Sequence, residues 1–286
     1  MREIKVFAPA KLNLYLDVLG KRPDGFHNIE TIFEKIDLKD EIIIKEKGKG
    51  LKVKTTPSNC SQGRENIVYK AAYALFKEAR VKLNLDIEIK KRIPVSAGLG
   101  GGSSDAASIL KAINEIFKLG VPAKRLFSIA GDIGKDVPFF MLNAPFAVAK
   151  GAGELLEKVN LNKDLFHILI KPSIQLSTKL MYKRIDKCSF SAKPHSLKDA
   201  LFALKTSAEE LEKNYYNIFE SALARDSVHI NKVKAMLADR GAEYSLLSGS
   251  GPTVFCSFEK KEEARTVFRK IPKNRDMSVF LAKTYR

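Results

Sequence analysis

Polar and apolar residues alternate through EIKVFAPAKLNLYLDVLG at 3–20, with Leu12, Leu14 and Leu16 on one side. That period of two predicts a strand, because successive side chains of an extended chain face opposite ways. ETIFEKI, EIIIKE and LKVKT predict three further short strands. The period changes over 65–79, where Ile67, Ala71, Leu75 and Ala79 share one helical face and Val68, Ala72 and Phe76 flank it. LNLDIEIKKRI at 83–93 alternates again through Leu83, Leu85, Ile87 and Ile89. It runs into PVSAGLGGGSSDAA and then an amphipathic helix through Ile109, Leu110, Ile113 and Phe117. After a turn at GAGE (151–154), FHILIKP, AEYSLLSGSG, PTVFCSF and MSVFLAKTY read as strands. Helices are predicted near 177–185, 196–206, 214–240 and 261–270, and SFSAKPHS at 189–196 reads as an exposed loop. Strand runs precede helix runs without strict alternation, so the fold class is α+β. A chain of 286 residues favours two domains. The turn at 151–154 sets them at 1–155 and 156–286, with the last strand, 277–285, able to pack on the first.

Composition narrows the classes. Apolar residues make up 45% of the chain and charged ones 29%, enough for real cores in a water-soluble protein. The most apolar run, PFFMLNAPFAVA at 138–149, is too short to cross a bilayer and is broken by Asn143 and two prolines. MREIKVFAPAK lacks the basic-then-apolar plan of a signal peptide. Cys60, Cys188 and Cys256 lie too far apart for a metal-ligand spacing or a disulfide framework, and a reducing cytoplasm is expected. The net charge of +17 fits either a nucleic-acid face or a basic surface that attracts polyanionic small molecules. Lysines are spread along the chain with no basic arm, which favours the small polyanion, with no nucleic acid and no membrane as partner.

Candidate chemistry concentrates in four segments. PVSAGLGGGSSD follows a predicted strand and opens a predicted helix. Gly98, Gly100, Gly101 and Gly102 let the backbone approach a ligand closely, and Ser103, Ser104 and Asp105 offer N-cap chemistry. A helix N-terminus presents unpaired N–H groups and a positive dipole end, which suits a phosphate. The loop is not a Walker A sequence, since no Gly-Lys-Ser/Thr closes it. On the first strand Lys11 and Asn13 share one face, and from spacing alone both are expected in solvent. RPDGFHNIET carries a turn at Asp24-Gly25, a ring at Phe26 and an imidazole at His27. Gly134-Lys135-Asp136-Val137-Pro138 leads a carboxylate into an apolar run read as a strand. An ionised Asp there needs a cation or donors, with Lys11 one candidate and a turn carboxylate capping the strand the alternative. LLSGSGPTVF at 246–255 reads as a hairpin whose Gly249 and Ser250 expose small residues and amides.

Taken in order, these four segments resemble the GHMP kinase superfamily, which includes galactokinase, homoserine kinase and mevalonate kinase. The likeness covers the whole chain. It is strongest to members whose acceptor alcohol carries a cytidine diphosphate group, through APAKLNLYLDVLGKRPDGFHNIETIF. The resemblance implies an N-terminal ribosomal-S5-like domain and a C-terminal ferredoxin-like α/β domain. It implies ATP-dependent phosphorylation of a small alcohol, with Asp136 as catalytic base and Lys11 as its paired cation. The loop from Pro94 through Gly98 to Ser104 would hold the phosphates, with Asn66 and Lys91 near the adenine. Asn13 and His27 would hydrogen-bond the acceptor, His27 reading cytosine, with Phe26 and Tyr182 sandwiching the base. Thr178 would face the methylerythritol part, and Gly249 and Ser250 would border it. Phe26 stands where a Tyr is often found, keeping the ring and losing the hydroxyl. Mg²⁺ is expected with ATP; Ser104 is a possible ligand and no carboxylate stands out. A monomer or homodimer is expected. Rival readings are a superfamily kinase of other specificity, a superfamily decarboxylase, an RNA-binding protein and a non-catalytic ATP sensor. They differ in substrate panel, CO₂ release, salt-dependent RNA affinity and binding without turnover, respectively.

Overall fold

The computed structural model describes residues 3–58, 60–82, 84–187, 196–272 and 274–286. Leu83, Cys188 and residues 189–195 of the loop read at 189–196 lie outside the described residues. Two long strands come first, β1 (Glu3–Lys21) and β2 (His27–Glu46). ETIFEKI and EIIIKE, read as separate strands, are thus one. The intervening Asp37-Leu38-Lys39-Asp40 is polar enough to look like a break. Asp40 nevertheless continues the strand because its buried carboxylate is met by the Lys91 ammonium and by the Arg92 and Ile93 amides. Contacts group the chain into two compact units, neither of them one continuous stretch, and β1 and β2 contribute to both.

The first unit holds the chain up to Ala10, Leu38–Val95 and Gly100–Asn143. Here β3 (Leu51–Thr56) pairs in parallel with β4 (Leu85–Lys90). β4 pairs antiparallel with the end of β2, Ile42 opposite Ile89 and Ile44 opposite Ile87. Helices α1 (Ile67–Ala79), α2 (Gly101–Ile116), α3 (Ala123–Ile133) and α4 (Val137–Met141) complete it. The predicted helical faces are the buried ones: Ala71, Leu75 and Phe76 on α1, Ile109, Leu110 and Ile113 on α2. Each large apolar side chain so buried contributes about 1.5–3 kcal/mol. Asn66 starts α1 by accepting from the Val68 amide at 2.8 Å. The apolar run after Asp136 is the short helix α4, not a strand. Pro138 fits its first turn, where no backbone N–H is needed.

The second unit holds Lys11–Asp37, Ser96–Leu99 and Ala144–Arg286. β5 (Phe146–Lys150) pairs antiparallel with β2 and with β6 (Leu155–Val159). A second sheet contains β7 (Phe166–Pro172), followed along the chain by α5 (Thr178–Ile185), α6 (Leu197–Thr206) and α7 (Ala208–Lys213). β8 (Tyr216–Asn217) joins β1 in parallel. Then come α8 (Ser227–Ala238), β9 (Leu246–Leu247), β10 (Val254–Phe258), α9 (Lys261–Lys270) and β11 (Met277–Lys283). The second sheet runs β11-β7-β10-β9 with every pair antiparallel. The helix expected over 214–240 forms only at α8. Before it, Asn217 donates to the carbonyls of Leu247 and Gly249, and two 3₁₀ turns follow. Tertiary hydrogen bonds override helical propensity there. β11 belongs to the second sheet, and the residues after it reach β2, the Tyr285 amide donating to Lys35 O at 2.8 Å. Among the described residues no helix is long and apolar enough to cross a membrane.

Candidate active site

The first half of the glycine-rich loop is locked against the β9–β10 hairpin by close backbone approach. Gly98 has φ +75°, and a Cβ on it would stand 2.0 Å from the Ser248 carbonyl oxygen. No side chain fits at that approach. The Ser248 hydroxyl donates to Gly98 O at 3.1 Å, and the Lys11 amide donates to Leu99 O at 2.9 Å. Lys11 and Asn13 are therefore not in solvent. They are 5% and 2% exposed, because the hairpin and loop cover that face of β1. The Lys11 ammonium donates to Asn13 Oδ1, and it sits 5.0 Å from the centroid of the Phe33 ring. Asn13 Nδ2 donates to Thr31 Oγ1 at 2.8 Å. Gly249, at φ +55°, lies against this pair: a Cβ there would be 3.3 Å from Lys11 Nζ and 3.4 Å from Asn13 Oδ1. Beside it, Thr178 Oγ1 and Ser250 Oγ share a hydrogen bond of 2.7 Å. Lys11, Asn13, Gly98, Gly249, Ser250 and Thr178 thus form one connected cluster in the second unit.

The other half of the loop begins α2. Its N-cap is Gly100, and the first intrahelical bond runs from Ser104 N to Gly100 O at 2.9 Å. The expectation that Ser103, Ser104 and Asp105 cap the helix is corrected by this. They lie inside its first turns, and Ser104 and Asp105 point inward and are buried. No side chain caps α2, so the Gly101, Gly102 and Ser103 amides precede its first bond and face out with the positive dipole end. Lys91 holds this helix start, its ammonium 2.5 Å from Asp40 and 2.7 Å from Asp105. Burial by itself lowers the Lys91 pKa, but Asp105 and Asp40 more than offset that and leave it raised. Burial pushes the Asp105 carboxyl up; Lys91 pulls it back and Asp40 pushes it further. Ser104 Oγ and Asp105 Oδ1 are buried with no hydrogen-bond partner among the described residues. Asn66 has its amide engaged with Thr55 Oγ1 and Ser61 O. Pro94 is partly buried. Asp136 is also partly buried and immediately precedes α4 without capping it.

A third group gathers at α5. His27 Nε2 lies 2.6 Å from Asp186 Oδ1, and the imidazole stacks on Tyr182 with centroids 4.6 Å apart. Tyr182 meets the Phe219 ring edge-on. The His27 bond, aided by Lys21, holds the Asp186 carboxyl below the usual range. Phe26 is half exposed at the turn. One face of Tyr182 is therefore occupied by His27.

Sequence reasoning missed Asp40 and Asp186 and took Asp105 for a cap. Asp40 carried one signal, a carboxylate at the centre of an otherwise strand-like run. Asp186 carried none beyond its place four residues after Tyr182. Among the described residues no group of three His, Cys, Asp or Glu side chains is placed to hold a metal.

Comparison with known proteins agrees across the whole chain. Residues 66–144 match the model of the GHMP kinases N terminal domain and residues 197–275 that of the GHMP kinases C terminal domain. A 4-diphosphocytidyl-2-C-methyl-D-erythritol kinase of Syntrophomonas wolfei is 37% identical over 99% of both chains. The crystal structure of a 4-(cytidine 5'-diphospho)-2C-methyl-D-erythritol kinase superposes with TM-score 0.82 at 31% identity, covering 98% of each chain. A homoserine kinase from Cytophaga hutchinsonii, 20% identical with TM-score 0.70 over 100% of this chain and 95% of its own, shares the fold.

Proposed function

The chain belongs to the 4-diphosphocytidyl-2-C-methyl-D-erythritol kinases of the GHMP kinase family, and from that premise we propose which of its residues carry the reaction. It is an ATP-dependent kinase of the non-mevalonate route to isoprenoids, with an S5-like N-terminal and a ferredoxin-like C-terminal domain. We place the boundary of the two near residue 155. The observation that carries the residue assignments is the uncapped start of α2, whose first amides have no side chain to satisfy them. Such a terminus takes an anion. The phosphates of ATP are assigned to it, with the loop from Pro94 to Ser104 around them. Asn66 and Lys91 are assigned to the adenine side, where Lys91 holds the start of α2 through Asp105 and Asn66 ties the start of α1 to Thr55 and Ser61.

Phosphoryl transfer asks for in-line positioning and charge stabilisation rather than covalent help. Asp136 accepts the proton of the acceptor's 2-hydroxyl as it attacks the γ-phosphate. Lys11 supplies the positive charge that favours the ionised base, and Asn13 holds that ammonium in place. Magnesium keeps several waters and needs few protein ligands. Ser104, whose buried hydroxyl has no hydrogen-bond partner among the described residues, is the residue that would hold the ion, which would supply positive charge to the phosphates. His27 bonds the cytosine, Phe26 and Tyr182 border it, and Thr178, Gly249 and Ser250 line the methylerythritol end. The protein is expected to work in the cytoplasm as a monomer or homodimer, without nucleic-acid partners.

Asp136→Asn tests the assignment. Turnover is expected to fall by about 10²-fold or more, with ATP binding by calorimetry unchanged. Turnover near that of the unaltered protein removes Asp136 as the base.

A further inference from the structure

Helix α5 grips one imidazole in two ways. Tyr182 and the residue that ends the helix, Asp186, are four apart and so project from one side of it. Tyr182 covers a face of His27 at 4.6 Å between centroids, with the rings 23° from parallel. Tyr182 is itself braced by Phe219, whose ring meets it at 89°. Asp186 Oδ1 meets the edge of the imidazole at Nε2, 2.6 Å away. The other carboxylate oxygen lies 3.3 Å from Lys21 Nζ, so Asp186 is held from both sides. The stacking fixes the plane of the imidazole, and the carboxylate fixes its rotation within that plane.

A carboxylate only accepts hydrogen bonds, so the proton on the His27 ring belongs at Nε2. In the neutral ring, Nδ1 then carries a lone pair and is an acceptor. Among the described residues the hydrogen bond of the His27 ring is the one at Nε2. We propose that Asp186 is a positioning residue that fixes His27 in the Nε2–H form, so that Nδ1 accepts from an amino group and the site prefers cytosine to uracil. Cytosine carries a donor amine at C4, where uracil carries a carbonyl acceptor. With Nδ1 locked as an acceptor, uracil places two lone pairs against each other. Without Asp186 the ring can carry its proton on either nitrogen and turn to donate. This rests on the reading of His27 as the cytosine contact.

Binding of CMP and UMP, measured by calorimetry, tests both layers separately. The unaltered protein is expected to prefer CMP. Asp186→Leu, close in size and unable to accept, is expected to lower that preference about 10-fold. The KM of the cytidine acceptor should rise while the KM for ATP stays. Asp186→Asn, which can still accept but can also donate, should fall between and serves if the leucine variant folds poorly. ¹⁵N shifts of the His27 ring should show the proton on Nε2 in the unaltered protein and a mixture in Asp186→Leu. A CMP preference that is lost in His27→Ala but unchanged in both Asp186 variants overturns the positioning role and leaves the acceptor reading standing. No CMP preference in the unaltered protein overturns both.

Discussion

At Ser96–Leu99 the glycine-rich loop is held by shape, with the Gly98 backbone pressed on the Ser248 carbonyl and no charged group taking part. At Gly100–Asp105 it is held by charge, with Lys91 shared between Asp40 and Asp105 at the start of α2. The two halves differ in what can replace what. A backbone-to-backbone approach admits no substitute for glycine, because any Cβ meets atoms that cannot swing away. An ion triad tolerates changes made in matched pairs, because what it requires is a balance of charge.

Breaking the shape-held half should cost the most. Gly98→Ala puts a methyl 2.0 Å from Ser248 O at a φ of +75°, so both hairpin and loop must move. The expected loss is about 4 kcal/mol, at the far end of single-residue effects, with little soluble, active protein. Denaturant midpoints measure the first and turnover per soluble chain the second. A melting point within a few degrees of the unaltered protein would contradict the lock.

The charge-held half should yield next. Lys91→Met leaves two buried carboxylates facing each other, and an uncompensated buried charge costs about 3–5 kcal/mol. Neutralising one of them in the same chain, as in Lys91→Met with Asp105→Asn, should recover much of that loss. Asp40 keeps the Arg92 and Ile93 amides as donors at 2.5 and 2.9 Å. A double-mutant cycle reads the coupling directly. Additive losses would mean that the three groups do not act as a unit.

The same difference governs how much of the molecule could be read from the chain. The shape-held half announced itself as glycines beside a strand end, because steric need leaves one residue type. The buried helical faces announced themselves through their period. The triad did not, since Asp40, Lys91 and Asp105 come from separate segments and nothing in the sequence says that they meet. The burial of Lys11 and Asn13 escaped for a related reason: spacing gives the face of a strand, and only the hairpin at 248–251 shows that this face is covered. Asp186 was invisible because its partner, His27, comes from the far end of the chain.

Buried charge also leaves a pH signature that shape cannot. Burial, with a smaller push from Glu209, raises the Glu212 carboxyl to about 7 against the pull of the Ser257 amide that it accepts. The folded chain therefore binds a proton that the unfolded one has released. That contribution is fully present below the ordinary glutamate value of 4.5 and is lost as pH rises through about 7. At about 1.4 kcal/mol per pH unit, the span from 4.5 to about 7 puts roughly 3–4 kcal/mol at stake. Glu212→Gln should flatten the stability curve between pH 5 and 8, while the loss in Gly98→Ala should not vary with pH. Parallel curves for the glutamine variant and the unaltered chain would remove Glu212 as the source.

The smallest change separates glycine kept for folding from glycine kept for a ligand. Gly102 sits in the first turn of α2, exposed, without a positive φ, and a Cβ there meets only Ile67 at an ordinary 3.6 Å. Nothing in the folded chain requires glycine at this position. Alanine is the better helix former by about 0.5–1 kcal/mol, so Gly102→Ala should leave the melting point equal or slightly higher. If the first amides of α2 take the ATP phosphates, the added methyl stands where the nucleotide must come close. The KM for ATP should then rise several-fold, by about 1 kcal/mol of lost binding, with the acceptor KM unchanged. A stable variant with an unaltered KM for ATP would move the phosphates away from this helix start, because the only remaining reason for a small residue at 102 is the room that a ligand needs.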